Sequence, residues 1–370
     1  VRHDPLSMQR KYVLACETSC DETSLALVHI REDFSVDVLF HETASQVEIH
    51  ASFGGVVPNL AKREHQKNLP LLWERMSAYL AKERICPDIM AVTVGPGLEP
   101  ALWQGITFFS DIHKTLYPDI PLVGVNHLEG HLYSFLFHEL FDPASLDTLF
   151  PMVSLLVSGG HTILGVLSDM YTYTLLGETK DDAVGESFDK VARLLGLPYP
   201  GGPQIERYAQ RGDVHAYPFP SPLLHSGDYE FSYSGLKTAV LYHLRNVSGD
   251  SAQSFSPGKQ ITLSDELSYD TAASFQYAAF RPLVEKTKKA FEEYSAKSVV
   301  VSGGVSASSF LRTYMKDTFE DTVPILFPPF AYCQDNAAMI GVAGYIGHMK
   351  GNSYPLEANG ILSLSSSRAL

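Results

Sequence analysis

Two histidines four residues apart are where this chain's chemistry can start. His127 and His131 stand in Gly124-Val125-Asn126-His127-Leu128-Glu129-Gly130-His131-Leu132, directly after the apolar run Ile120 to Val125. The run predicts a strand and Asn126 is a good helix cap, which puts both imidazoles on one face of the helix that follows. Two neutral imidazoles so placed can fill two positions on a metal. The same residues also read as a capping histidine and a partly buried core histidine. A zinc-protease motif fits worse. Its glutamate adjoins the first histidine, whereas Glu129 occupies the middle of the five residues.

A third ligand has a candidate far along the chain. Asp335, in Cys333-Gln334-Asp335-Asn336-Ala337-Ala338, precedes an apolar helical stretch. It reads as a helix-cap or first-turn acid, or as the carboxylate that joins two histidines and leaves metal positions open to substrate. Ser158-Gly159-Gly160 and Ser302-Gly303-Gly304 each follow an apolar strand. Glycines there let backbone N–H groups approach an anion, though neither turn has Walker or dinucleotide spacing. Together with the early polar turn Glu17 to Ser24 they favour a nucleotide cleft over three ordinary strand-end turns. The stretch Asp181 to Ala192, which contains Asp189, is followed by Pro200-Gly201-Gly202-Pro203, and its acidic side chains suit ribose hydroxyls or a divalent ion. A capped helix with exposed carboxylates is the equal alternative.

The elements that must carry these residues come in pairs. Tyr12–Ala15 and Leu25–Val28 predict strands around the polar turn, and Val153–Val157 and Ile163–Val166 repeat the design around Ser158 to Thr162. Ile89–Val94 runs into Gly95-Pro96-Gly97 and a helix; Ser298–Val301 runs into Ser302-Gly303-Gly304 and a helix. This duplication predicts two α/β domains facing each other across a cleft, residues 11–127 and 128–347. A loop insertion is expected near 246–263, and a small, polar tail, 348–370, is expected to fray. Asn59–Glu83 predicts a long amphipathic helix with a break or kink near Leu69, because Pro70 lies inside it.

Composition narrows the classes. The chain has 370 residues, 45% hydrophobic and 19% charged, enough for two domains with full cores. No run approaches the roughly 18 apolar residues of a membrane span, and Val1 to Arg10 lacks the apolar stretch of a secretory signal. Cys16 and Cys20 are spaced C-x-x-x-C, which is neither a redox nor a zinc-knuckle spacing. With Cys86 and Cys333 they read as reduced cytoplasmic thiols. The net charge of -14 argues against nucleic-acid binding unaided. Lys62-Arg63-Glu64-His65-Gln66-Lys67 is the best local basic candidate, and reads more readily as a solvated helix face.

In order along the chain, these motifs resemble one family. They are Glu17-Thr-Ser-Cys-Asp-Glu-Thr23, Ser45-Gln46 with His50 and Gly54-Gly-Val-Val-Pro58, Gly95-Pro-Gly97, and Asn126-His-Leu-Glu-Gly-His-Leu132. Further on come Leu156-Val-Ser-Gly-Gly-His-Thr162, Phe188-Asp-Lys190 with Pro200-Gly-Gly-Pro203, Ser302-Gly-Gly-Val305, and Asp335-Asn-Ala-Ala-Met339. From about Tyr12 to Gly347 the chain resembles the bacterial TsaD family, once described as O-sialoglycoprotein endopeptidases.

The resemblance implies an actin-like ATPase fold, two duplicated RNase H-like α/β domains around a nucleotide cleft. It implies transfer of a threonylcarbamoyl group from threonylcarbamoyl-AMP to N6 of the adenosine 3′ of the anticodon, in tRNAs that read codons beginning with A. Matched by position, His127, His131 and Asp335 would hold one divalent metal, Fe2+ in most of the family, with Zn2+ or Mg2+ as alternatives. Leu156, Val157, Ser158, Gly159 and Gly160 would form the substrate loop. Asp189, Gly202 and Glu206 would contact the nucleoside, and ATP or ADP could occupy the cleft. Ser19, Asp21 and Glu22 match positions implicated in activity, with Asp21 or Glu22 as candidate base for the N6 proton. The family works in the cytoplasm with TsaB-like and TsaE-like subunits, which suits an acidic chain that binds tRNA weakly alone.

Two positions depart from the family pattern. Ser308 replaces the usual Asn, and a hydroxyl cannot offer an amide's paired donor and acceptor to the adenylate. Trp103 replaces an Arg. The remaining readings are an actin-like small-molecule kinase, a metallopeptidase and a nucleotide-binding scaffold. The histidines speak against a kinase, which holds Mg2+ through phosphates and carboxylates.

Overall fold

A computed structural model describes residues 11–139, 141–248 and 263–364. The loop insertion expected near 246–263 lies almost wholly outside the described residues, as do Val1 to Arg10 and the last six residues of the tail. The described residues fall into two compact units, one from residues 1–148 and 327–370, the other from 149–326. The boundary expected after His127 thus falls after Thr148, and the chain returns to the first unit at Phe327. The physical reason is the last helix, whose apolar surface packs on the first unit's sheet.

The first unit is built on β1 (Lys11–Glu17), β2 (Glu22–Ile30), β3 (Val36–Ser45), β4 (Ile89–Gly95) and β5 (Leu122–Asn126), in the order β3-β2-β1-β4-β5. β1, β2 and β3 pair antiparallel, and β1, β4 and β5 pair parallel. The parallel part carries glycine-turn crossovers and the antiparallel part tight hairpins, as connection geometry demands. Its helices are α1 (Val47–Ala51), α2 (Pro58–Glu83), α3 (Glu99–Leu116), α4 (His127–Tyr133) and α11 (Ala337–Met349); the short α5 (Leu146–Leu149) lies at the boundary. α2 runs through Pro70 without the expected break. It buries Leu69, Leu72, Met76 and Leu80 against Leu14, Leu25, Met90 and the α3 residues Leu102, Ile106 and Phe109.

On the sheet's other face α11 is buried from Ala337 to Ile346. It can lie that close because a side chain at Gly341 or Gly344 would meet Val28 or Ala91 at 2.7 and 2.6 Å. The tail does not fray over its described part. Tyr354 N–H bonds to Gly124, Asn359 N–H to Val94, and Asn126 Nδ2 donates to the Ser363 carbonyl at 3.0 Å. These bonds satisfy the outer edge of β5 and the Val94 carbonyl, which the irregular pairing at the end of β4 leaves to the tail.

The second unit repeats the plan. β6 (Met152–Val157), β7 (Thr162–Leu167), β8 (Tyr173–Glu178), β9 (Ser298–Ser302) and β10 (Ile325–Leu326) lie in the order β10-β9-β6-β7-β8. β6/β7 and β7/β8 are antiparallel; β6/β9 and β9/β10 are parallel. Counted from its hairpin, each sheet has the same strand order and the same strand directions. α6 (Val184–Leu194), α7 (Gly201–Ala209), α8 (Ser234–Ser248), α9 (Asp265–Glu293) and α10 (Ser309–Thr318) accompany it. α9 buries Phe275, Phe280, Leu283 and Val284, and Phe188 of α6 stacks on the Phe280 ring at 5.0 Å. Among the described residues no helix is long and apolar enough to cross a membrane.

Candidate metal centre and nucleoside loops

In the first unit, Asn126 caps α4 as its type predicts: Leu128 N–H donates to its Oδ1 at 2.9 Å. The cap sets the helix so that the His127 and His131 rings meet edge to face, centroids 4.8 Å apart. Asn336, not Asp335, caps α11, accepting from Met339 N–H at 2.9 Å. Asp335 sits one residue before and is left free to turn to the histidines. Its Oδ1 is 3.4 Å from His127 Nε2 and 3.1 Å from His131 Nε2. One ligand atom from each of the three lies within 4.8 Å of the others. Gly130 lets α4 approach α11; a side chain there would meet Met339 and Ile340 at 2.9 and 3.0 Å.

The residues present fit a first-row divalent cation. Two imidazoles and one carboxylate form a donor set that suits iron or zinc better than magnesium, which prefers oxygen. The three side chains hold one another around a shared point, and the far nitrogen of one ring is held from behind. His127 Nδ1–H donates to Glu17 Oε2 at 3.0 Å. Glu17 is fully buried at the end of β1, and also accepts from Thr93 Oγ1 at 2.6 Å and from Ser19 N–H. A carboxylate behind a ligating imidazole fixes its tautomer and raises its basicity.

The protonation pattern follows from three charges out of water. Burial opposes charge on His127, but Asp335 and Glu17 outweigh it and hold the ring well above the usual imidazole range. Burial likewise pushes Asp335 up, and His127 and His131 together hold it well below the usual carboxylate range. For His131 burial wins and the ring is shifted down. A metal bound here would displace the His127 proton and require both rings neutral.

The early turn lies against this cluster. Ser19 Oγ is 3.2 Å from His127 Nδ1. Asp21 and Glu22 are both buried, and Glu22 is pushed well above the usual range by burial, then by the Asp335 and Asp21 carboxylates. The structure thus gathers Ser19, Asp21, Glu22, His127, His131 and Asp335 in one unit, with Glu17 as the member whose role sequence reasoning missed. Its signal was an acid closing an otherwise apolar strand. Glu129 faces elsewhere, accepting from Tyr354 Oη at 2.7 Å.

The second unit holds the other candidates. Leu156 and Val157 lie in β6 with buried side chains, so only their backbone can meet a ligand. Ser158 closes the turn: its N–H donates to the His161 carbonyl at 2.8 Å, and its Oγ accepts from His161 N–H at 3.0 Å. Gly159 and Gly160 are exposed, with open space where a side chain would stand. Asp189 accepts from Gly201 N–H at 2.7 Å at the start of α7, and Gly202 beside it also faces open space. Glu206 accepts from Ser309 N–H at 2.7 Å and Phe310 N–H at 3.2 Å at the start of α10. Ser308 caps the same helix, accepting from Leu311 N–H at 3.3 Å. Trp103, the other departure, is 43% exposed on α3.

Two sheets of this order, each a hairpin followed by a parallel crossover, define an actin-like ATPase fold. The chain resembles the crystal structure of HypF from T. kodakarensis with a TM-score of 0.58 at 13% identity, over 92% of this chain and 48% of that one. The family model "TsaD: tRNA N6-adenosine threonylcarbamoyltransferase" matches residues 37–342. Relatives of that name are 42% identical in Moorella thermoacetica, over 95% of this chain and 96% of theirs, and 40% identical in Bacillus subtilis, over 97% of each. The chain belongs to the TsaD family.

Proposed function

We propose that this chain transfers the threonylcarbamoyl group of threonylcarbamoyl-AMP to N6 of the adenosine 3′ of the anticodon in tRNAs reading A-starting codons. The observation that carries the reading is the convergence of His127, His131 and Asp335, with Glu17 behind His127, in a chain of this family. The acceptor amine is a weak nucleophile because its lone pair is delocalised into the purine, so the donor must be activated. His127, His131 and Asp335 hold one divalent metal, Fe2+ in this proposal. Bound there, it supplies Lewis-acid polarisation of the donor.

The chain's own residues do the rest. In the Ser158 to Gly160 loop the exposed Gly159 and Gly160 N–H groups anchor the donor's anionic part, with Ser158 closing the turn behind them, and Asp189, Gly202, Glu206 and Ser308 border its nucleoside end. Asp21 or Glu22 takes the N6 proton as the new C–N bond forms, and the bond from the carbamoyl carbon to the phosphate oxygen breaks to release AMP. The reaction runs in the cytoplasm with TsaB-like and TsaE-like subunits. A chain of net charge -14 gains little from phosphates and holds tRNA weakly on its own.

The test is mass-spectrometric detection of N6-threonylcarbamoyladenosine. Metal-loaded chain, preformed threonylcarbamoyl-AMP, unmodified tRNA and the partner subunits give product in the wild type and none in Asp335→Ala. A fully active Asp335→Ala protein refutes the metal role.

A further inference from the structure

Behind the Ser19–Glu22 turn lies a buried polar cluster that the transfer chemistry leaves unused. His50 and His65 are fully buried and Gln46 is 1% exposed. All three stand in stretches singled out in the sequence, and His65 is not on the solvated helix face expected there. Their proton positions follow from their partners. Val57 N–H donates to His50 Nδ1 at 3.3 Å. A ring nitrogen that accepts carries no proton, so His50 donates from Nε2 to Gln46 Oε1 at 3.2 Å. That bond sets the amide's orientation and turns its Nε2 to His65 Nδ1 at 3.4 Å, where Thr23 Oγ1 also stands at 2.8 Å. His65 Nε2 is 3.0 Å from the Cys20 carbonyl, which can only accept. Burial shifts the His65 ring down, in the sense that favours its neutral form.

Every link therefore points one way, from Val57 N–H through His50, Gln46 and His65 to the Cys20 carbonyl. The Gln46 backbone N–H also donates to the Asp21 carbonyl at 3.0 Å. Two successive carbonyls of the acid turn are thus held from this cluster, while Leu98 N–H holds the Ser19 carbonyl from the other side at 2.7 Å.

We infer that His50, Gln46 and His65 form a one-way hydrogen-bond relay that positions the acid turn, with His65 as the positioning residue for the transfer step. This rests on the function proposed above. Side chains that act through such a shell change rate by placement, and displacing a reacting group by about 1 Å can cost about 100-fold.

The test uses the intact, metal-loaded chain. His65→Phe keeps a planar ring and removes both polar atoms. His65→Gln keeps a donor that reaches the Cys20 carbonyl. The expected result is a 10- to 100-fold lower kcat in His65→Phe, by the placement effect, with the KM for the donor and the metal content unchanged. His65→Gln recovers most of the rate. Hydrogen exchange across Ser19–Glu22 rises in His65→Phe and not in His65→Gln, and nitrogen-15 spectra place the His50 and His65 protons on Nε2. A folded His65→Phe protein with wild-type kcat and wild-type exchange overturns the inference, as does a proton on Nδ1 of either ring. If the wild type itself makes no product, the proposed function fails, and the exchange and nitrogen spectra decide the relay separately.

Discussion

The hairpin between β1 and β2 and the hairpin between β6 and β7 occupy the same place in two sheets of the same order. Their chemistry is opposite. The first turn buries Glu17, Ser19, Asp21 and Glu22 and presents side-chain oxygens. The second exposes Gly159 and Gly160 and presents backbone N–H groups. In the proposed function, one duplicated backbone thus suits a cation and its ligands in one copy and an anion in the other. What differs is whether side chains or the main chain do the contacting.

If that contrast is right, the largest effect belongs to the acid side. Asp335→Ala removes the only charged ligand of the three and leaves α11 capped by Asn336. Transfer should fall by at least about 1,000-fold, the scale of losing a group that stabilises developing charge, with metal content lost and thermal unfolding little changed. Metal analysis alongside product formation checks it; retained metal would break the contrast. Glu17→Gln should lower metal affinity by about 10- to 100-fold, as loss of a carboxylate behind a ligating histidine does. Competition with a chelator of known affinity measures this. Equal affinities in the two proteins would reduce Glu17 to a structural acid.

On the glycine side, two kinds of glycine separate. Gly303 has φ +85° and a Cβ there would overlap the Val157 carbonyl oxygen. Gly303→Ala should cost about 1–3 kcal/mol of stability, the cost of a strained left-handed residue, read as a lower denaturant midpoint. Gly160 meets nothing, so Gly160→Ala should fold as the wild type. Its N–H is kept, but the added methyl stands where the anion must approach, so the donor KM should rise by about tenfold, the worth of one hydrogen bond to an anion. A Gly160→Ala enzyme with unchanged KM would remove the second turn from the donor site.

Both hairpins and both glycine crossovers were legible in the sequence because each is local: an apolar run, a polar or glycine turn, another apolar run. Asn126 as a cap was legible for the same reason. What failed was long-range. An apolar helix such as Ala337–Met349 does not say which sheet it will cover, so the unit boundary was placed at His127 instead of Thr148. The tail looked frayed because its partners, Gly124, Val94 and Asn126, lie more than 200 residues away. His65 looked exposed because its neighbours in sequence are charged. Its burial comes from Thr23, Gln46 and Cys20, none of them local. The candidate metal ligands His127, His131 and Asp335 were legible by motif, whereas Glu17 needed the fold to bring β1 against His127 of α4.

The smallest expected effect concerns Ser308, where this chain departs from its family. As the cap of α10 it accepts from Leu311 N–H, and Glu206 takes the next two donors, Ser309 and Phe310 N–H. Ser308→Ala should therefore cost about 1 kcal/mol of stability, while Ser308→Asn, an equally good cap, should cost almost nothing. The two variants divide capping from recognition. If the side chain only caps, Asn leaves the donor KM where it was. If it also faces the adenosine end, an amide adds a paired donor and acceptor that a hydroxyl lacks, and the donor KM should fall without any change in melting temperature. Measuring both quantities on both variants decides whether this corner of the second unit contacts the donor through side chains, as is proposed for the first unit and its metal, or through backbone alone, as is proposed for its own glycine turn.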